Sequence, residues 1–382
     1  MPDQTEPEAS RPQTELEASG QHSPLLAWPG AVEASWPDEG VAGHYGDPMR
    51  EQRTIGESAG VVDRSNRGVV RITGPDRLSW LHSLTTQALD GLAPGAAAQA
   101  LVLSPNGHVE HHLTLTDDGT AVWAHVEPGT AAALVEFLES MRFMLRVEVA
   151  DLSQDYAVLT VLGPAAGGLA AGLDGVQACV NPGSFGTMDL IVARDRLAEA
   201  AGDLVRRGAA AAGMWAFEAL RIAAHVPRLG LDTDHRTIPH EVGWIDSAVH
   251  LTKGCYRGQE TVARVHNLGH PPRRLVLLHL DGSAERLPGH GDPVAAGGPD
   301  SASPDSASPD SASPDSASTV VGFTGSAARH YELGPIGLAL VKRTVPVDAT
   351  LLAGGVAAAQ EVIVPPDAGA NVKVTLRRRQ LM

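Results

Sequence analysis

Short apolar runs alternate with helix-period stretches over the first two thirds of the chain, and beyond residue 273 the pattern changes to strands and turns alone. Residues 68–72 read as a strand and 76–84 as a helix. A hairpin of 98–103 and 108–115 follows, about Pro105, Asn106 and Gly107, which favour a tight turn. Residues 121–125 predict a strand, and 130–142 a helix, because Leu134, Phe137, Leu138 and Met141 recur at three- and four-residue spacing and so share one face. A second set repeats the theme, with strands at 156–162 and 187–192, a helix at 196–207 and another from 209 to 221. Strands mixed with helices in this way predict an α+β architecture. From residue 273 the runs RRLVLLHL, TVVGFTG, GPIGLALV, ATLLAGG and VKVTL predict a small antiparallel barrel.

Two segments stand outside this pattern. Residues 1–40 are rich in Pro, Glu, Ser and Gln and poor in β-branched and aromatic residues, so an acidic, disordered tail is expected. Residues 299–318 are PDSAS repeated four times, a solvated loop between the strand-like runs 292–294 and 319–322 that costs little closure entropy. Much of the formal net charge of −16 lies in these segments: residues 1–60 hold eleven acidic and three basic residues, and the repeat holds four aspartates. The remaining body is near neutral and lacks the clustered Lys and Arg that displace counterions, so no direct nucleic-acid binding is expected. Arg377, Arg378 and Arg379 read as the solvated end of a strand. No run of about 18 apolar residues is present to cross a bilayer. The first residues resemble neither a secretory nor a mitochondrial targeting segment. The only cysteines, Cys179 and Cys255, lie in unlike contexts, which predicts no disulfide framework and a cytoplasmic location.

The densest chemistry lies in Lys253-Gly254-Cys255-Tyr256-Arg257-Gly258-Gln259-Glu260. A cysteine between glycines and beside a lysine has the setting of a reactive thiol, since a nearby ammonium lowers a thiol pKa and glycines admit close approach of backbone N–H groups. A tight turn around a small buried cysteine is compatible with the same residues. Cys179, within the apolar run 176–180, reads as a buried structural thiol. Strand alternation sends His108, Glu110 and His112 to one face and His111 to the other. Without a fourth ligand nearby no metal site is assigned, and a polar strand lining a cavity accounts for these residues. His225, His235 and His240 read as satisfied loop histidines. Two cysteines fall short of the four thiolates that a resident iron–sulfur cluster ordinarily needs.

The octet, followed by Thr261, Val262, Ala263 and Arg264, resembles the signature of the YgfZ-type folate-binding proteins, relatives of the aminomethyltransferase of the glycine cleavage system. The run 69–77 with Trp80, Leu81 and His82, the LSPNGHV of 103–109, Leu220-Arg221-Ile222, Arg228-Leu229-Gly230 and the GPIGLALVKR of 334–343 extend the resemblance over roughly residues 41–382. It implies an aminomethyltransferase-like fold, with two ferredoxin-like lobes in 41–270 and a C-terminal antiparallel β-barrel in 271–382, arranged around a central cavity for tetrahydrofolate or a one-carbon derivative. It further implies an accessory protein for assembly or repair of iron–sulfur enzymes, acting indirectly on tRNA modification. The implied partners are folate and iron–sulfur client enzymes or cluster carriers. In that role Cys255 is the reactive thiol, presented to a cluster, a partner thiol or a one-carbon adduct, and Lys253 lowers its pKa or pairs with an anion. Gly254 and Gly258 admit close approach, Tyr256 joins the folate contacts, Gln259 orients the loop, Glu260 caps or pairs, and Arg264 meets a glutamate carboxylate of folate.

The aminomethyltransferases place an Asp-Asp pair in the first hairpin. Aligned on Gly107, Val109 and Leu113, those positions hold His111 and His112, and a neutral imidazole carries no fixed negative charge. Transferase chemistry is therefore not expected; a tetrahydrofolate-dependent aminomethyl- or methyltransferase is the alternative. The family glutamate that follows Leu-Arg-Ile, suited to hold a pterin edge by two parallel bonds, is Ala223 here. Glu241, in the loop 238–243, is either its substitute or an exposed loop glutamate, and His112 is counted with it among the folate contacts.

Overall fold

The computed structural model describes residues 22–181, 185–296 and 319–369; the PDSAS repeat and the VKVTL run lie outside them. A short ribbon of β1 (Val32–Glu33) and β2 (Ala42–His44) leads into α1 (Pro48–Glu57) and β3 (Gly60–Asp63). The first lobe contains β4 (Gly68–Thr73), β5 (Ala97–Leu103), β6 (Val109–Asp117), β7 (Ala121–Val126) and β8 (Glu148–Asp151), in the order β5-β6-β7-β4-β8. Its helices α2 (Arg77–Leu84) and α3 (Ala131–Ser140) bury Trp80, Leu81, Leu134 and Leu138 against Val70, Ile72 and Val102 of that sheet. The second lobe contains β9 (Tyr156–Leu162), β10 (Val176–Val180), β11 (Thr187–Ala193) and β12 (Ala210–Ala212), with β3 between β9 and β12. It is covered by α4 (Ala166–Ala170) and α5 (Leu197–Arg206).

The second helix of this lobe differs from the expectation of one continuous element over 209–221. Ala210–Ala212 pair in parallel with Gly60–Val62, and the helix α6 (Met214–Ala223) starts only after Gly213. Ala carries little sequence signal for strand, so the pairing partner decides. After α6 come α7 (Trp244–Ser247) and α8 (Gln259–Leu268), and then the closed barrel of β13 (Arg273–Leu280), β14 (Pro293–Ala296), β15 (Val320–His330), β16 (Gly334–Lys342), β17 (Leu351–Ala353) and β18 (Val356–Val362). β13 is apolar on both faces for a reason. Leu275 and Leu277 pack outward against Trp244 and Tyr256, while Val276 and Leu278 pack with the barrel cluster of Val341 and Leu351.

The two lobes press their sheets together through Val69 and Trp123 of the first and Val158, Val180 and Ile191 of the second. Beside this apolar contact runs a chain of buried charges that ties the lobes, α6, the barrel and the N-terminal segment into one body. Asp189 accepts from His125 Nε2 at 3.0 Å, and Arg67 donates to His125 Nδ1 at 2.8 Å and to Glu127 at 2.8 Å. Arg228 then bridges Glu127, Asp38 and Glu218. Arg221 joins Glu218 to Asp232 (2.9 Å to the latter), and Asp232 accepts from the Ser326 backbone N–H at 2.8 Å. Burial alone would raise the carboxyls of Glu127 and Glu218, but the guanidiniums beside them win. Arg228 and Arg67 hold Glu127 well below the usual carboxylate range, and Arg221 and Arg228 hold Glu218 at about 2.

For residues 22–40 the N-terminal expectation is corrected by the same network; residues 1–21 lie outside the described residues. Residues 22–40 are packed, with Leu25 in the core of the second lobe, Ser23 donating to Asp63, and Asp38 paired with Arg228 at 2.8 Å. Composition predicts a tail because these residues offer few apolar side chains; what orders them is pairing with charges supplied from far along the chain.

Candidate functional site

The octet forms the end of the loop after α7 and the first two residues of α8, and neighbouring groups fix it at both ends. Lys253 is buried, and its ammonium donates to the carbonyls of His82 and Thr85, the latter at 2.6 Å. These are terminal carbonyls of α2, which lack partners within the helix and sit at the negative end of its dipole. Burial pushes the Lys253 pKa down to about 8 against the opposing charge of Asp90, and the ammonium lies 5.0 Å from the centre of the Tyr256 ring. At the other end Gly258 has φ +82°, and a Cβ there would stand 2.6 Å from Ser104 O. A Cβ on Gly107 would in turn stand 2.7 Å from Thr261 Cβ, so the hairpin turn and the start of α8 interlock through two glycines. Arg257 adds an ion pair to Glu110 at 2.6 Å, and Gln259 donates to Lys253 O at 3.4 Å.

This anchoring leaves Cys255 exposed at the tip. The Lys253 ammonium is directed to the end of α2, so its role here is to hold the loop. Nothing approaches within 4 Å of a Cβ built on Gly254, so packing does not require glycine there. Tyr256 is buried in the cluster that contains Trp244 and Leu275. Glu260 and Arg264 pair with each other at 2.7 Å on the outer face of α8, both largely exposed, an arrangement worth a few tenths of a kcal/mol at most.

Glu241 is not an exposed loop residue, and both of its oxygens are already engaged. It is buried, its Oε1 accepts from Arg273 Nε at 2.8 Å, and its Oε2 accepts from Arg273 Nη2 at 2.9 Å and from the Ile238 N–H at 3.1 Å. The turn Pro239–Val242 places it beside the first residue of β13, and the guanidinium takes the bidentate geometry that a pterin edge would need.

The histidine strand departs from simple alternation. Val102 pairs with His111 but Leu103 pairs with Val109, so Glu110 is an extra residue in β6 and the facing pattern resets across it. The shared face expected for His108, Glu110 and His112 is therefore lost. Glu110 turns to Arg257, and the His111 ring lies 6.3 Å from that of Phe137. The His112 ring lies 4.7 Å from that of Trp244, tilted at 41°, and shares a hydrogen bond of 3.0 Å with Gln99 Oε1. Burial lowers the pKa of both to about 4, assisted at His111 by Arg257, so both rings are neutral at pH 7. Among the described residues no three His, Cys, Asp or Glu side chains gather as metal ligands.

Sequence reading missed a cavity of about 530 Å³ walled by the N-terminal segment, α1, α6 and β15. Trp36, Met49, Trp215 and Leu231 line it, with Asp38 and Glu218 of the buried network. Neither the octet nor His112 lines it. The signal was faint: two tryptophans almost 180 residues apart and an aspartate in a stretch that reads as a tail.

The buried histidines predict a pH response. Burial lowers His125 and His240 to about 4, whereas the unfolded chain protonates them near 6.5. Between those values the unfolded state binds more protons, so stability falls as pH drops, by about 1.4 kcal/mol per pH unit per histidine. Urea unfolding midpoints should decline from pH 7 to pH 5, before the depressed carboxylates of Glu127 and Glu218 add their own loss at lower pH. An unchanged midpoint over that interval would contradict the burial argument.

Residues 47–195 match the GCVT N-terminal domain family. The chain is 29% identical to an aminomethyltransferase of Rubrobacter xylanophilus over 276 residues, covering 66% of this chain and 73% of that one. It is 26% identical to a chloroplastic putative transferase of Arabidopsis thaliana over 250 residues, which span 57% of the plant protein's length. In structure it is similar to the glycine cleavage system aminomethyltransferase T of Bartonella henselae, with a TM-score of 0.71 over 90% of this chain and 96% of that one at 19% identity. The fold is therefore aminomethyltransferase-like.

Proposed function

From an aminomethyltransferase-like body whose first-hairpin Asp positions hold neutral histidines, we propose an accessory protein of the YgfZ type: one that supports assembly or repair of iron–sulfur enzymes through Cys255 and does not transfer aminomethyl groups. The observation that carries this reading is the octet loop, clamped at Lys253 and Gly258, with its one thiol left at the solvent-exposed tip. A clamped loop presents a thiol to another macromolecule at low entropic cost. Cys255 offers the sulfur, Lys253 holds the loop to α2, and Gly258 keys it to the hairpin. The effect on tRNA modification follows indirectly, through client enzymes.

Folate belongs to the proposal by resemblance, and the residues first expected to hold its pterin fit it poorly. Glu241 is committed to Arg273 and Ile238 by three hydrogen bonds, His112 is engaged by Gln99 and Trp244, and Ala223 offers no acceptor. When bound, tetrahydrofolate would supply a one-carbon carrier. Similarity to proteins named aminomethyltransferases favours the enzymatic alternative, and the neutral histidines oppose it.

In cells whose own copy is removed, Cys255→Ala should fail to restore the activity of iron–sulfur enzymes, whereas Cys179→Ala should restore it with only a modest loss of stability. Cys179 packs at the edge of the second-lobe core on β10, with its pKa raised by burial. Equal loss from the two substitutions, or none from either, would remove Cys255 from the mechanism.

A further inference from the structure

We propose that the 530 Å³ cavity between the N-terminal segment, α6 and β15 is a binding site for a planar aromatic ligand bearing an amidine-like pair of N–H donors, separate from the octet. Its volume lies within the range of small-molecule sites. Its walls include two half-exposed indoles, Trp36 at 52% and Trp215 at 46%, which are large apolar surfaces left uncovered. Indole faces favour flat rings and above all cationic ones. His290 already lies 5.2 Å from the Trp36 ring and His44 4.7 Å from that of Trp215, which holds both indoles in defined orientations.

The polar lining fixes the sign of the ligand. Asp38 and Glu218 both line the cavity and are kept in place by Arg228 and Arg221. A carboxylate oxygen has two acceptor positions. Asp38 Oδ2 accepts only from Arg228 Nη1 and Glu218 Oε2 only from Arg221 Nη2, so among the described residues each retains one. These acceptors, buried at Asp38 and partly exposed at Glu218, have no donor role, so they reward N–H groups and reject an anionic head. Arg329 also lines the cavity, but it is exposed and donates to Glu285 O.

The site does not depend on the iron–sulfur reading, since Cys255 is no part of it. Benzamidine is the probe and benzoate its charge-reversed match, each titrated against the full chain by calorimetry and by ligand-observed NMR. Benzamidine should bind saturably with a Kd of about 1 mM, the range for a fragment of its size, and benzoate should not. Trp36→Ala and Trp215→Ala, at half-exposed positions that leave the ion network intact, should each weaken benzamidine at least fivefold while retaining the wild-type unfolding midpoint. Glu218→Gln should also weaken it, but its place in the network makes the tryptophan variants the decisive ones. Absence of saturable binding, equal binding of benzoate, or tryptophan variants that bind as wild type would each overturn the proposal.

Discussion

Replacing Arg228 by methionine is expected to lower the unfolding free energy by about 3–5 kcal/mol, because it strips a shared cation from three carboxylates and leaves buried Asp38 with no counter-charge at all. The guanidinium makes two hydrogen bonds to Glu127, two to Asp38 and one to Glu218, at 2.8–3.0 Å. Methionine nearly preserves the length of the side chain, so the loss reports charge more than volume. Glu127 would keep only Arg67 and Glu218 only Arg221, while Asp38 would lose its one guanidinium, and a buried carboxylate with no counter-charge takes up a proton or pulls in water. Arg264→Met is the control: its pair with Glu260 is exposed, and its removal should change stability by less than about 0.5 kcal/mol. Urea titrations of the two variants at pH 7 measure both. A cost below about 1 kcal/mol at Arg228 would mean that the network orders the junction without stabilising it.

The second large effect is an absence of turnover. Supplied with tetrahydrofolate and an aminomethyl-loaded lipoyl carrier, the protein should release no ammonia and form no methylenetetrahydrofolate, even if folate binds at micromolar or weaker affinity. A fixed carboxylate that steadies positive charge developing at a reacting nitrogen is an electrostatic contribution of several kcal/mol, or a factor of roughly 100 to 1,000 in rate. His111 and His112 are neutral at pH 7, each with a pKa near 4, and His112 is further engaged by Gln99 and Trp244. Multiple turnovers would overturn the non-enzymatic reading, and His112→Asp would then be expected to raise the rate further.

Much of the fold is legible along the chain because its strands are short apolar runs with clear breaks. Tyr156–Leu162 and Arg273–Leu280 occur at the predicted positions, and the barrel follows from a change of period. β18 was not read from the sequence, because VAAAQEV is alanine-rich and partly exposed, and its pairing with β13 defines it. The bulge at Glu110 was equally silent, since alternation gives no sign of an extra residue until the partner strand is known. At the candidate site the octet was conspicuous by composition, but the direction in which Lys253 points was not. The carbonyls that receive it belong to Thr85 and His82, far earlier in the sequence. The same holds for Glu241, which looks available until Arg273 is placed beside it. Charges whose partners are distant in sequence read as free ones.

The N-terminal segment also has a history during synthesis. Asp38 leaves the ribosome long before Arg228, 190 residues later, and Gln52 before Arg329, 277 residues later. At translation rates of about 5–20 residues per second, Asp38 waits roughly 10–40 s for its counter-charge. During that interval Trp36 and the aspartate have no built surface to join, while the first lobe, whose contacts lie between residues 68 and 151, has all its strands. Residues 22–40 are thus made before the α6 and barrel residues they join and are among the last to settle, so they close the finished molecule.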